Sequence, residues 1–163
     1  MTAANTTIPI IDVRSLDEEI PSSALTASFY EAYHQLGFSY IVNHGIDPVL
    51  VESIFEASHR FHALPLKEKM KVNLDHNHRG YIAINTSTDV NSQLAEVKKP
   101  NQSASFMMMR EDKVESDDVY LSGPNQWPEL EGFRTVLEQF NSELEILAYK
   151  LMRLALLSAG VQD

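Results

Sequence analysis

The run Leu36-Gly37-Phe38-Ser39-Tyr40-Ile41-Val42-Asn43-His44-Gly45-Ile46 constrains this chain more than any other stretch. A glycine ends a helical pattern, aromatic and β-branched residues follow, and a second glycine comes after Asn43 and His44. That order predicts a short buried strand with a turn at each end. Gly37 stands where a helix C-terminus takes the left-handed conformation, and Gly45 where a strand turns into the next element. Upstream, Pro21, Ser22 and Ser23 open a helix, serine being a preferred N-cap. Leu25, Phe29, Ala32, Tyr33 and Leu36 give it one apolar face. Downstream, Asp47 and Pro48 form a cap and first-turn pair. Leu50, Ile54, Ala57, Phe61 and Leu64 mark the second buried stripe, which Pro65 stops.

The rest of the chain is arranged around this helix, strand, helix unit. Ile8-Pro9-Ile10-Ile11-Asp12 suits a first strand or sheet edge, where a proline without an N–H is tolerated. Leu66 to Val72 reads as a short basic turn of helix, Asp75 to Gly80 as a loop, and Tyr81 to Ile84 as a short strand. Asn85 to Gln102 is polar without clear period, Phe106 to Met109 is a further strand candidate, and Glu111 to Asp118 is a solvated acidic loop. Loops this long in a compact domain are usually functional or pinned by something else. Pro124-Asn125-Gln126-Trp127-Pro128 then leads into the longest helix, whose period holds from Phe133 to Gly160, on the order of 40 Å. Its second half is apolar on more than one face, through Ile146, Leu147, Leu151, Leu154, Leu156 and Leu157, as in a helix packed from two sides. The expected organisation is one region, 1–163, with a strand, helix and loop portion over 8–124 and the long helix over 125–160.

Charge and residue content exclude several classes. A net charge of −10 argues against nucleic acid or an anionic membrane surface as partner. The absence of cysteine removes disulfides, thiolate metal sites and cysteine nucleophiles, and favours a reducing compartment. Met1 to Thr7 shows neither a basic nor an apolar leader segment, and no apolar run reaches the roughly 18 residues of a membrane span, so the cytoplasm is the expected location.

Six histidines invite a metal reading. None of His34, His44, His59, His62, His76 or His78 has a carboxylate two residues on, so no His-x-Asp or His-x-Glu pair can project from one strand face. Glu56-x-x-His59 with His62 has the spacing of half a di-iron motif, which needs a second copy that is absent; it reads as a polar helix edge. Asp75, His76 and His78 read as a solvated loop. Met107, Met108 and Met109 read as a core strand, with pocket lining the lesser alternative. No phosphate-cradling loop, serine nucleophile elbow or basic aromatic patch is present.

Five ordered motifs carry a family resemblance. Ile8 to Asp12 resembles an opening I-P-x-I-D strand, and Gly37 to Ile46 resembles a G-F-F-Y-I-V-N-H-G-I core. Phe61-His62-Ala63-Leu64-Pro65-Leu66-Lys67-Glu68-Lys69 resembles F-F-x-L-P-x-E-x-K. Arg79-Gly80-Tyr81 resembles R-G-Y, and Asn125 to Pro128 with Phe133-Arg134 resembles N-x-W-P and F-R. Together they resemble the N-terminal region of the 2-oxoglutarate/Fe(II)-dependent oxygenases, in the branch that includes isopenicillin N synthase. Lys99-Pro100-Asn101-Gln102-Ser103-Ala104 departs from the family's K-P-D-x-x-E by lacking the glutamate.

The resemblance implies an α+β fold, helices packed on a few short strands, as the N-terminal part of a double-stranded β-helix (jelly-roll) oxygenase whose catalytic half lies outside these residues. It implies Fe(II) and 2-oxoglutarate for the full-length enzyme, with neither bound by this chain, which lacks the His-x-Asp and Arg-x-Ser motifs. It implies a small-molecule substrate, a catalytic β-helix as partner in cis or in trans, and a substrate-side wall that includes Arg79, Tyr81 and Phe106. Hydroxylation, desaturation and ring closure all fall within the family. The alternative is a catalytically silent helical interaction module that keeps the oxygenase scaffold.

Overall fold

A computed structural model describes residues 7–18, 21–86, 100–111 and 119–161. The order is β1 (Ile10–Asp12), α1 (Ser23–Gln35), β2 (Tyr40–Val42), α2 (Pro48–Ala63), α3 (Leu66–Lys69), β3 (Gly80–Ile82), β4 (Ser105–Met107) and α4 (Phe133–Ser158). A 3-10 turn, Met70–Val72, follows α3 directly. Most of the sequence segments Asn85–Gln102 and Glu111–Asp118 lies outside the described residues.

The chain divides into two compact units, Met1–Ile54 with Leu137–Asp163, and Phe55–Val136. In the first unit, β1 and β2 run parallel with Ile11 opposite Ile41, and α1 makes the crossover that a parallel pair needs. Local chemistry sets the ends of these elements. Ser22 Oγ accepts from the Leu25 amide to cap α1, and the Leu36 and Gly37 amides both donate back to the Ala32 carbonyl at its other end. Gly37 has φ +86° and Gly45 φ +83°, so both turns use the backbone freedom read from the sequence. Asp47 Oδ1 accepts from the Val49 amide at the start of α2. The core here is Ile11, Val13, Leu16, Leu25, Phe29, Ala32, Ile46, Leu50, Leu147 and Leu154.

One expectation fails in this unit. β2 is not a buried strand: Tyr40 is 60% exposed, and Phe38 and Val42 are exposed as well. Among the described residues β2 has a single neighbour, β1, so its sheet has two strands and its side chains lack a second layer. The long helix also starts later than position 125. Residues 125–132 are non-helical and α4 occupies Phe133–Ser158, about 40 Å. On α4, Leu147 and Leu154 are buried, whereas Leu144, Ile146, Tyr149, Met152 and Leu156 are exposed. At about 100° per residue, Tyr149, Met152 and Leu156 fall on the face opposite Leu147 and Leu154.

In the second unit, β3 and β4 pair antiparallel with Tyr81 opposite Phe106. Its core is Ala57, Phe61, Val72, Tyr81 and Phe133, with Arg79 and Ser122 as buried polar residues. No helix among the described residues is long and apolar enough to cross a membrane.

Candidate functional site

Three of the five motifs read separately in the sequence converge in the second unit. Phe61, fully buried, is the hub. The Tyr81 ring meets it edge-on at 5.8 Å and the Phe106 ring at 5.0 Å, while Phe133 stacks at 5.2 Å. Trp127 extends the cluster, 6.0 Å from Phe106 and 6.5 Å from Phe133. Such pairs add about 0.5–1.5 kcal/mol each beyond the area they bury. Residues 61, 81, 127 and 133 come from three of the five motif regions, and Phe106 comes from the strand paired with the R-G-Y segment.

Polar ties hold this cluster in register. The Gln126 side-chain amide donates to the carbonyls of Asn73 and Arg79, both at 2.8 Å. Asn125 brackets Met109, accepting from its amide at 2.9 Å and donating to its carbonyl at 2.8 Å. The Glu111 carboxylate accepts from Asn125 and from the Trp127 ring N–H, and pairs with Arg134, whose guanidinium lies over the Trp127 ring. Gly80, with φ +111°, passes so close to the chain at Val72 that a Cβ would overlap its carbonyl oxygen. That close approach explains why the R-G-Y centre is glycine.

Two of the three sequence-read wall residues, Tyr81 and Phe106, meet as strand neighbours on Phe61. Arg79 takes a different route. It is 1% exposed, and its guanidinium donates to the carbonyls of Asn77 (3.1 Å), Leu121 (2.7 Å) and Arg110 (2.9 Å). Its Nε has no hydrogen-bond partner. A cavity of about 310 Å³ is lined by Arg79, Met109, Arg110, Val119, Tyr120 and Leu121. Asn125 is the N of the N-x-W-P motif, whereas the sequence assigns no role to Gln126 or Glu111. The polar pair before Trp127-Pro128 was the signal available, since amides in an aromatic stretch need backbone partners when they are enclosed.

The histidines do not assemble into a metal site. Among the described residues no three His, Asp or Glu side chains group to hold an ion. His62 lies beside Phe61 and Lys69, and burial, then the Lys69 charge, pushes its pKa down. Lys69 itself donates to the His62 carbonyl and sits over the Tyr81 ring. His44 Nδ1 accepts from the Ile46 amide and is part of the turn after β2. The donor set described here therefore does not fit the iron that the resemblance implies.

The family described as "non-haem dioxygenase in morphine synthesis N-terminal" matches residues 8–130. The chain belongs to that family. It is the N-terminal region of the 2-oxoglutarate/Fe(II)-dependent oxygenases. Azadirone synthase of Melia azedarach is 27% identical over 171 residues, covering all of this chain and 50% of that enzyme. Clavatol oxidase of Penicillium crustosum is 28% identical, covering 90% of this chain and 48% of that enzyme. The chain spans about half the length of these curated relatives. Among solved structures, Neurospora crassa T7H in complex with alpha-KG superposes with TM-score 0.76 at 24% identity, over 99% of this chain and 50% of T7H. A Caulobacter crescentus protein placed in the 2OG-Fe(II) oxygenase family gives TM-score 0.76 at 15% identity, over 96% and 50%. At these identities the likeness is one of fold, over about half of each solved chain.

Proposed function

We propose that these residues serve as the N-terminal region of an oxygenase that hydroxylates, desaturates or cyclises a small molecule, with the iron and 2-oxoglutarate chemistry carried by a jelly-roll half outside them. The observation that carries this reading is the family match over 8–130 in a chain that spans half of its relatives. The missing His-x-Asp and Arg-x-Ser spacings support the division of labour. Residues 1–163 then act as one region, in the reducing cytoplasm that a cysteine-free chain suits.

In this reading Tyr81 and Phe106 stiffen the wall on the substrate side through Phe61, and Arg79 ties the loops behind them. The exposed face of α4 and the uncovered residues of β2 are the surfaces that a catalytic half would cover, whether joined in cis or supplied in trans. Incubation of the 163-residue chain with Fe(II), ascorbate and labelled 2-oxoglutarate tests the division. The expected result is no protein-dependent CO₂ release above a metal-only blank. Release above the blank would place the chemistry within these residues and overturn the reading. Coding sequence beyond Asp163 supplies the second arm: a His-x-Asp, a distal histidine and an Arg-x-Ser support the oxygenase, and their absence supports the silent interaction module.

A further inference from the structure

The outer edge of β1 carries backbone groups that its pairing with β2 does not use. The Tyr40 amide donates to the Pro9 carbonyl and the Val13 amide to the Val42 carbonyl, so residues 9, 11 and 13 turn their backbone toward β2. Ile10 and Asp12 alternate with them and turn theirs away. Among the described residues β2 is the only strand beside β1. Edge strands are commonly blunted by proline or by charge. Pro9 stands at an inward-turned position, so its missing N–H leaves the outer edge intact, and the Asp12–Arg14 ion pair guards only the far end. Ile10, 68% exposed, is the unguarded position.

A cavity of about 560 Å³ lies between this strand and α1, lined on the strand by Pro9, Ile10 and Ile11. On the helix its lining is Ser28, Glu31, Ala32, Gln35 and Leu36, the i, i+3, i+4, i+7, i+8 spacing of one face. That face is about 12 Å long at ~1.5 Å per residue, the length of about four extended residues at ~3.3 Å each. A strand edge beside a helix face is a geometry in which an extended peptide adds as a further strand. We propose that this groove binds an extended, β-branched peptide segment carrying one basic side chain, docked as a third strand on β1. Its backbone pairs with Ile10, and its alternate side chains lie beside Ile10 on one face and against α1 on the other. On the helix side an apolar side chain packs on Ala32 and Leu36, and the basic one reaches Glu31. Glu31 Oε1 accepts from Gln35, and the carboxylate keeps further acceptor positions for a cation. The net charge of −10 adds longer-range attraction for such a partner. The inference concerns the first unit alone and stands apart from the oxygenase reading.

The test adds a fluorescein-labelled Val-Thr-Lys-Val-Val-Thr peptide to the 163-residue chain. Its anisotropy is expected to rise saturably, and hydrogen exchange at the Ile10 amide to slow as that N–H gains an acceptor. Two further peptides are N-methylated at alternate residues, one on each set, so that every side chain stays and one edge loses its donors. Strand addition requires that only one of the two loses binding. Replacing the peptide lysine by glutamate is expected to weaken binding about threefold to fivefold, the scale of one exposed ion pair. Glu31→Lys, a surface change on α1, is expected to reverse that preference. No saturable binding, equal loss with both N-methylated peptides, or unchanged exchange at Ile10 would overturn the proposal. A Glu31→Lys chain that still prefers the lysine peptide would do the same. Binding seen only after removal of residues 1–6 would also overturn it, by giving the groove to the chain's own N-terminus.

Discussion

The side-chain amide of Gln126 donates a 2.8 Å hydrogen bond to the backbone carbonyl of Arg79, 47 residues earlier. The same nitrogen reaches the Asn73 carbonyl, so one amide closes the R-G-Y segment against the stretch before Trp127. Gln126→Ala leaves both carbonyls without that donor. The expected cost is about 1–3 kcal/mol, typical of part-buried acceptors that lose a partner. Urea unfolding of the variant measures it, and a midpoint equal to that of the parent would show that solvent replaces the amide freely.

Two glycines with positive φ are expected to respond differently to alanine. At Gly45 a Cβ would have no atom within 4 Å, so Gly45→Ala carries only the backbone penalty, on the order of 1–2 kcal/mol. At Gly80 a Cβ would overlap the Val72 carbonyl oxygen and come within 2.9 Å of the Gln126 amide nitrogen. Backbone there cannot retreat without parting the 3-10 turn from β3, so Gly80→Ala is expected to cost clearly more than Gly45→Ala. Thermal melts of the pair give the order, and equal shifts would refute the close approach.

Phe61 is fully buried and contacts the rings of Tyr81, Phe106 and Phe133. Phe61→Ala is expected to lose about 3–5 kcal/mol, and Phe61→Leu less. Near-ultraviolet circular dichroism should report the loss of the aromatic cluster, with helical signal retained where the chain stays folded. A near-parental spectrum for the alanine variant would show that the ring cluster does not depend on its hub.

Acid sensitivity follows from two groups with opposite chemistry and the same sign. His62 has a folded pKa below its ordinary 6.5, through burial first and the Lys69 charge second. The unfolded chain therefore binds the proton first as pH falls through about 6.5, and stability drops from there downward. Asp12, held far below the usual carboxylate range by hydrogen bonds from Arg14 and then Asn43, contributes stability above its ordinary pKa of 3.8 and loses it in stronger acid. His62→Gln is expected to flatten the stability profile between about pH 7 and about pH 5 while leaving the lower limb, which Asp12→Asn should change. Urea midpoints across pH measure both, and an unchanged upper limb in His62→Gln would remove the histidine from the account.

The caps and apolar faces were legible because they are local. Ser22 and Asp47 act within three residues of themselves, and Leu25, Phe29 and Ala32 share a helix face by spacing alone. The covering of β2 was not legible. Aromatic and β-branched residues at Tyr40, Ile41 and Val42 specify a strand, but burial depends on a second layer that the strand's own residues do not encode. Arg79 shows the same limit from the polar side. The family resemblance implies a wall position for it, and its burial rests on carbonyls at positions 77, 110 and 121 that no spacing rule connects.

The face of α4 bearing Tyr149, Met152 and Leu156 offers the last prediction. These residues lie opposite the buried Leu147 and Leu154, and Tyr149 is 80% exposed. Apolar side chains repeated along one helix face carry a solvation cost that scattered surface residues do not, and such faces mark association or hydrophobic-dye binding. The 163-residue chain alone is expected to bind a hydrophobic dye or self-associate. Substituting the face, Tyr149→Lys with Met152→Gln and Leu156→Gln, should abolish either behaviour without lowering the melting temperature, because none of the three is buried. In a fusion to the catalytic half of a relative, the parental face should be protected from hydrogen exchange and the substituted face should not. Equal dye binding by parent and variant would mean that α4 is not the exposed surface that matters.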